Sequence, residues 1–257
     1  QGWLEGGAEI QLDSDIPAGA GVSSSAAVTV GVLRAAAPDG IDPTRIATLA
    51  RQVENRFVGV PCGIMDQMAV AHTGPGEALA LDTRSLDFQR LAFPKSWRLA
   101  VLHSGVERQL ADGRYGERRE ACLTAANALG LDHLCDAKDI SSLPSPQRAI
   151  ARHVVGENVR TRDAISALKT GDAIGFGVLM NQSHASLRDD FQVSTPEIDA
   201  LVADAIELGA GGARITGAGF GGCIVVLLPE SADETWTQAL LARHPKAWRA
   251  AEIGGGG

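Results

Sequence analysis

A glycine- and serine-rich passage from an extended segment into a helix sets the tightest limit on what this chain can build. Residues Ser14-Asp15-Ile16-Pro17-Ala18-Gly19-Ala20-Gly21-Val22-Ser23-Ser24-Ser25-Ala26-Ala27 follow the strand-like Glu9-Ile10-Gln11-Leu12 and lead into a helix expected over residues 23–37. Gly19 and Gly21 permit backbone conformations closed to other residues and let a ligand approach the main chain. The three serines fall where the helix begins, with unpaired N–H groups and the positive end of the helix dipole facing the loop. Such an arrangement receives phosphate through the backbone. Its plain alternative is an ordinary N-capped helix after a turn. No Gly-Lys-Ser/Thr follows, so the segment is not a Walker loop. The small residues Ala26, Ala27 and Gly31 predict a helix that packs closely against a sheet.

With 257 residues the chain can hold one large domain or two small ones. Its 45% hydrophobic and 21% charged residues are those of a globular protein, and no apolar run approaches the roughly 20 residues of a bilayer span. A net charge of −8 counts against a general nucleic-acid or anionic-membrane partner, whereas a local backbone nest can still take a nucleotide. Cys62, Cys122, Cys135 and Cys223 are widely spaced and read as free thiols, not as a disulfide framework or zinc site. A cytoplasmic location is the expectation. Gln1-Gly2-Trp3-Leu4-Glu5 has neither an initiator Met nor the regions of a signal peptide. The chain is therefore read as a fragment or processed product that lacks the start of its first domain.

Further along, Asp42-Pro43 caps a second helix on which Ile46, Leu49, Ala50, Val53 and Phe57 form a helical stripe, with Glu54 beside it. Pro61 and Gly63 force a turn before a short helix over residues 64–71, which carries Asp66 in its first turn. An acid there is favoured by the helix dipole, and it can be a plain first-turn residue. Its apolar neighbours Cys62, Met65 and Met68 make it costly without a partner or a task. Strands are expected at 78–82 and 98–104, with a domain boundary near Phe93-Pro94-Lys95. Helices follow over 114–129, starting at Tyr115, then over 148–168 after Pro144 and Pro146, and over 176–187. Ser194-Thr195-Pro196-Glu197 starts another, with a Ser-x-x-Glu capping pattern. The glycine-rich stretch from Gly212 to Cys223, before a strand at 224–228, brings two backbones, or a backbone and a ligand, close together. His153 and His184 are read as structural, Arg188, Asp189 and Asp190 as an ion-pair network, and Arg214 as a loop anchor. Gly254 to Gly257 is read as a loose tail.

Taken together these segments resemble the GHMP kinases and, among them, the galactokinases. Pro17 to Ala27 is similar to the superfamily's phosphate loop and Gly212 to Cys223 to its third motif. Val60-Pro61-Cys62-Gly63-Ile64-Met65-Asp66-Gln67, residues 151–158 and residues 183–190 resemble galactokinases more narrowly. The resemblance implies an α+β, two-domain GHMP kinase fold, with domains over 1–95 and 96–257 and the active site in the interdomain cleft. It implies ATP-dependent phosphorylation of galactose at its anomeric hydroxyl, with Asp66 as the catalytic aspartate. Gly63, Asp66 and Tyr115 would bind the sugar. Gly19, Ala20, Gly21, Val22, Ser23, Ser24, Ser25, Gly217, Gly219 and Gly221 would serve ATP. Ser25 (or Ser24) and Glu54 would hold Mg²⁺, and the protein would be a monomer or weak dimer. No counterpart of the family's Arg-Val-Asn-Leu-Ile-Gly-Glu-His-Thr-Asp-Tyr-like first motif occurs, so an N-terminally truncated chain of reduced or no activity is expected. A non-catalytic sugar and ATP sensor, or a kinase of N-acetylgalactosamine or arabinose, are the alternatives.

Overall fold

The computed structural model describes residues 3, 6–17, 21–59, 62–107 and 113–254. They divide into two compact units, residues 1–93 and 94–257. No helix among the described residues is long and apolar enough to cross a membrane.

The first unit is built on three helices, α1 (Ser24–Ala36), α2 (Pro43–Val53) and α3 (Met65–His72), with a hairpin of β1 (Glu77–Leu81) and β2 (Phe88–Ala92). Asp42 caps α2 by accepting the Thr44 N–H at 3.0 Å, and Pro43 sits in the first turn, where its missing N–H costs nothing. Val30, Ile46, Ala47, Ala50, Ile64, Met68 and Ala71 form the core. Among the described residues helix α1 packs chiefly on α2 and α3, where a sheet was expected, and Gly31 is exposed; Ala26 and Val30 supply the buried face. The stripe expected along α2 ends at Ala50. Residues Glu54–Val58 form a π-helical turn, closed by the Gly59 N–H on the Glu54 carbonyl. Glu54 follows Ala47 and Ala50 by seven and four positions and so falls on the buried face. The wider π turn then carries Phe57 away from it, to 91% exposure, and Val53 lies at the edge. The strand expected at Glu9 to Leu12 does not form: these residues are exposed and pair with no strand among those described.

The second unit carries an antiparallel sheet in the order β4 (Gly212–Ile215), β5 (Cys223–Leu227), β3 (Arg98–His103), β6 (Trp248–Gly254). Ala100 stands opposite Val226 and Leu102 opposite Ile224; Ala213 and Ile215 face the same two β5 residues from the other side. All six are buried on one face, where they meet Ile198, Leu201, Val202 and Ala205 of α7 (Pro196–Glu207) and Leu240 of α8 (Glu234–Arg243). A second cluster joins α4 (Arg114–Ala128) to α5 (Ser145–Thr170) through Ala125, Ala126, Ile150 and Ala151. Helix α5 begins before the position the prolines suggested, because Pro146 is tolerated in a first turn. The cap of α7 is Thr195, not Ser194: its hydroxyl accepts the Ile198 N–H, while Ser194 Oγ donates to Asp199 at 2.6 Å. The last strand runs farther than the sequence suggested, since Gly254 is paired with Arg98 instead of belonging to a loose tail.

Helix α6 (Ala173–Asp189) covers the edge strand β4 by direct main-chain contact. A Cβ on Gly212 would fall 2.6 Å from the Gly177 Cα, and one on Gly177 would overlap the Gly211 carbonyl. Asn181 of α6 accepts the Ala213 N–H at 2.9 Å, which satisfies a donor that an edge strand would otherwise expose. Gly212→Ala should therefore destabilise the protein by about 1–3 kcal/mol in urea unfolding. Gly31→Ala, on an open helix face, should stabilise it by up to about 1 kcal/mol.

Candidate functional site

The start of α1 has no side-chain cap from its N-cap residue. Ser23 occupies the N-cap position in a left-handed conformation, φ 61°, and caps nothing with its side chain. This departs from an ordinary Ser-capped helix, and among the described residues no side chain is found capping the first N–H groups of α1. Gly21 (φ 77°) and Val22 precede it; Gly19 and Ala20 lie outside the described residues.

Within the same unit Ser25 and Glu54 meet. The Ser25 hydroxyl donates to Glu54 Oε2 at 3.3 Å across 29 residues of sequence. Glu54 is only 7% exposed, and its four donors among the described residues are all uncharged. Oε1 accepts from Gln67 Nε2 at 3.0 Å and from Thr29 Oγ1 at 3.4 Å; Oε2 accepts from Ser25 and, at 3.6 Å, from the Cys62 thiol. Asn55, the next residue of the π turn, holds Cys62 in place by accepting its N–H at 2.7 Å and donating to its carbonyl at 3.4 Å. Burial and the nearby Glu54 carboxylate push the Cys62 thiol up, so it stays protonated and donates.

A carboxylate taken out of water with only neutral donors is costly, and a cation removes the cost. One carboxylate and one hydroxyl suit a hard ion such as Mg²⁺, which takes few protein ligands and completes its shell with water and phosphate oxygens. The donor set fits the ion. Ser24, the alternative ligand in the sequence, makes no hydrogen bond to Glu54 among the described residues.

Asp66 is half-buried in the first turn of α3, one residue before Gln67, so the helix that carries it is tied to Glu54. Gly63 is exposed, and nothing among the described residues lies within 4 Å of where a side chain would point. Sequence reasoning missed Gln67 and Thr29. Gln67 ends the galactokinase-like segment around Asp66 but was given no role there, and Thr29 lies two residues past the segment around Ser25, in the same helix.

The remaining expected residues belong to the second unit. Tyr115 is 41% exposed in the first turn of α4. In the loop between β4 and β5, Gly217, Gly219, Phe220, Gly221 and Gly222 all have positive φ. A Cβ on Gly219 would lie 2.6 Å from the Val193 carbonyl oxygen, and one on Gly221 2.8 Å from that of Val106. Phe220 N–H and Gly222 N–H donate to those same carbonyls at 2.7 and 2.9 Å. Of the two readings of this stretch, the close approach at 219 and 221 is between backbones. The Arg114 guanidinium lies 4.5 Å over the Phe220 ring and braces the loop from α4.

The family descriptions "GHMP kinases N terminal domain" and "GHMP kinases C terminal" match residues 1–74 and 164–244. The chain is 44% identical to a galactokinase of Roseiflexus sp. over 96% of its own length and 67% of that protein's. It is 38% identical to a galactokinase of Pyrococcus furiosus, over 95% and 71%. Among solved structures it is similar to Lactococcus lactis galactokinase complexed with galactose, at TM-score 0.82 and 30% identity, over 94% of this chain and 68% of that one. The chain thus spans about two thirds of the length of these relatives.

The two histidines stay outside this chemistry. His153 Nδ1 lies 3.0 Å from Ser186 Oγ, and its ring stacks on Phe191 at 4.4 Å. His184 Nε2 lies 3.2 Å from Asp199 Oδ1. Arg214 bonds Glu157 at 3.1 Å and the Ile215 carbonyl, which anchors β4 to α5; Arg188 pairs with Asp189, and Asp190 with Arg152. Burial, aided by Arg160 and Arg214, pushes His153 down to about 4, and burial lowers His184 as well. Unfolded histidine takes up its proton near pH 6.5, so below that pH the unfolded chain binds protons that the fold refuses. Stability should fall as pH drops from about 6.5 to about 4. Urea unfolding should show a loss on the order of 1–2 kcal/mol between pH 7 and pH 5, and His153→Gln should reduce it.

Proposed function

Because the chain belongs to the galactokinase family of the GHMP kinases, we propose that it transfers the γ-phosphoryl group of ATP to the anomeric hydroxyl of galactose, giving galactose 1-phosphate and ADP. The observation that carries this reading is the pairing of Ser25, at the start of α1, with the buried carboxylate of Glu54. It supports a cation site beside a helix end whose first N–H groups no described side chain is found capping.

Each residue's part follows from phosphoryl transfer, where positioning and charge neutralisation supply most of the catalysis. The loop over residues 19–25 gives backbone donors to the phosphates. Ser25 and Glu54 hold Mg²⁺, which when bound neutralises charge on the nucleotide's phosphate oxygens. Asp66 accepts the proton of the anomeric hydroxyl as that oxygen bonds to the γ-phosphorus and the bond to the bridging oxygen of ADP breaks. Open space beside Gly63 leaves room for a ligand next to Asp66's helix. Tyr115 is assigned to the sugar, and Gly217, Gly219 and Gly221 to the nucleotide. The first domain then comprises residues 1–95 and the second 96–257.

A coupled ADP-release assay with ATP, Mg²⁺ and a panel of galactose, N-acetylgalactosamine and arabinose tests the reading. Galactose should give the highest turnover, and Asp66→Asn should lower kcat by about 10²–10⁴-fold. Binding of ATP and galactose with no release of ADP, by a version that also carries the family's first motif, would replace the kinase by a sensor.

A further inference from the structure

We infer that Gln67 is the positioning residue of the cation site: it fixes the Glu54 carboxylate so that Oε2, on the side of Ser25, is the oxygen presented to the ion. The inference rests on the function proposed above.

Glu54's two oxygens have different surroundings. Oε1 is taken by Gln67 Nε2 at 3.0 Å, the shortest of its bonds, and by Thr29 Oγ1 at 3.4 Å. Thr29 is itself held by its bonds to the Ser25 and Ala26 carbonyls at 2.9 and 3.2 Å. Oε2 faces the Ser25 hydroxyl at 3.3 Å and the Cys62 thiol at 3.6 Å, both longer than the Gln67 bond to Oε1. A ligand carboxylate needs partners on its remote oxygen to hold its plane, and such outer partners set metal affinity.

The state of the Gln67 amide argues that it is there for this purpose. Only the NH₂ end of an amide can donate to a carboxylate, so Nε2 must face Glu54. Oε1 of Gln67 is then buried and has no donor among the described residues. The side chain is 1% exposed, in the helix that starts after Ile64 and carries Met68, both of the apolar core. A residue selected for packing alone would be a leucine, which leaves no orphan acceptor. Gln67 follows Asp66 directly, so one helical turn carries both the proton acceptor and the group that orients the metal carboxylate.

Mn²⁺, followed by electron paramagnetic resonance in the presence of ADP, is the probe. Gln67→Leu should raise the Mn²⁺ dissociation constant by about 10–100-fold. ADP affinity measured without divalent ion should be preserved. Raising Mg²⁺ in the turnover assay should restore part of the lost activity. Equal Mn²⁺ affinity in variant and wild type overturns the inference, and so does an equal loss of ADP affinity without metal, which would mark a structural role. Should Gln67→Leu fail to fold, Gln67→Met, of similar shape and without a donor, decides in the same way: weaker Mn²⁺ binding supports the inference and unchanged binding overturns it. A wild type that binds no Mn²⁺ with ADP overturns the functional reading itself, an outcome distinct from unchanged affinity in the variants alone.

Discussion

One buried carboxylate holds the first unit's helices in their working arrangement. Glu54 closes α2, receives Ser25 and Thr29 from α1, Gln67 from α3, and the Cys62 thiol from the segment between. The apolar contacts among Val30, Ile46, Ala50 and Met68 bring these helices together, but such contacts are non-directional. Hydrogen bonds to a single charged group are directional, and they fix which residues of each helix face one another. The charge itself lacks a positive partner among its donors. The same group that aligns three helices therefore also creates the demand for a cation.

Much of this was legible before any coordinates. The helix after the serine run, the Asp42-Pro43 start, Asp66 in a first turn and the two buried strands β3 and β5 each rest on local pattern or composition, which sequence displays directly. The pairing of Ser25 with Glu54 was legible only through resemblance, because 29 residues separate them. Gln67 and Thr29 gave no signal as donors to Glu54, since a glutamine in a helix is usually a surface residue and only the tertiary fold buries this one. Phe57 misled for a related reason: the period of 3.6 was extended into a turn that is wound differently. Extended residues near the N-terminus misled because a strand exists only through its neighbour, and the local pattern says nothing of the neighbour.

The second unit solves a different problem, that of bringing backbones together without side chains. At Gly219 and Gly221 the loop between β4 and β5 lies against Val193 and Val106, and main-chain hydrogen bonds beside each glycine lock the contact. Phe220, between them, holds a left-handed conformation at φ 59° that costs a non-glycine residue some energy. The guanidinium of Arg114 over its ring and the donated bond to Val193 offset that cost.

The contact of α6 with β4 has a similar origin and a longer reach. At Gly177 and Gly212 nothing but main chain separates helix from strand, so neither surface has a side chain to trim when the other grows. Ordinary cores drift through compensating changes of volume, one methyl group at a time. This joint offers no such intermediate, and its spacing is a fixed gauge set by the thickness of the polypeptide itself. Strand β4 ends at Ile215 and opens directly into the glycine loop, so the height at which that loop leaves the sheet is inherited from the gauge.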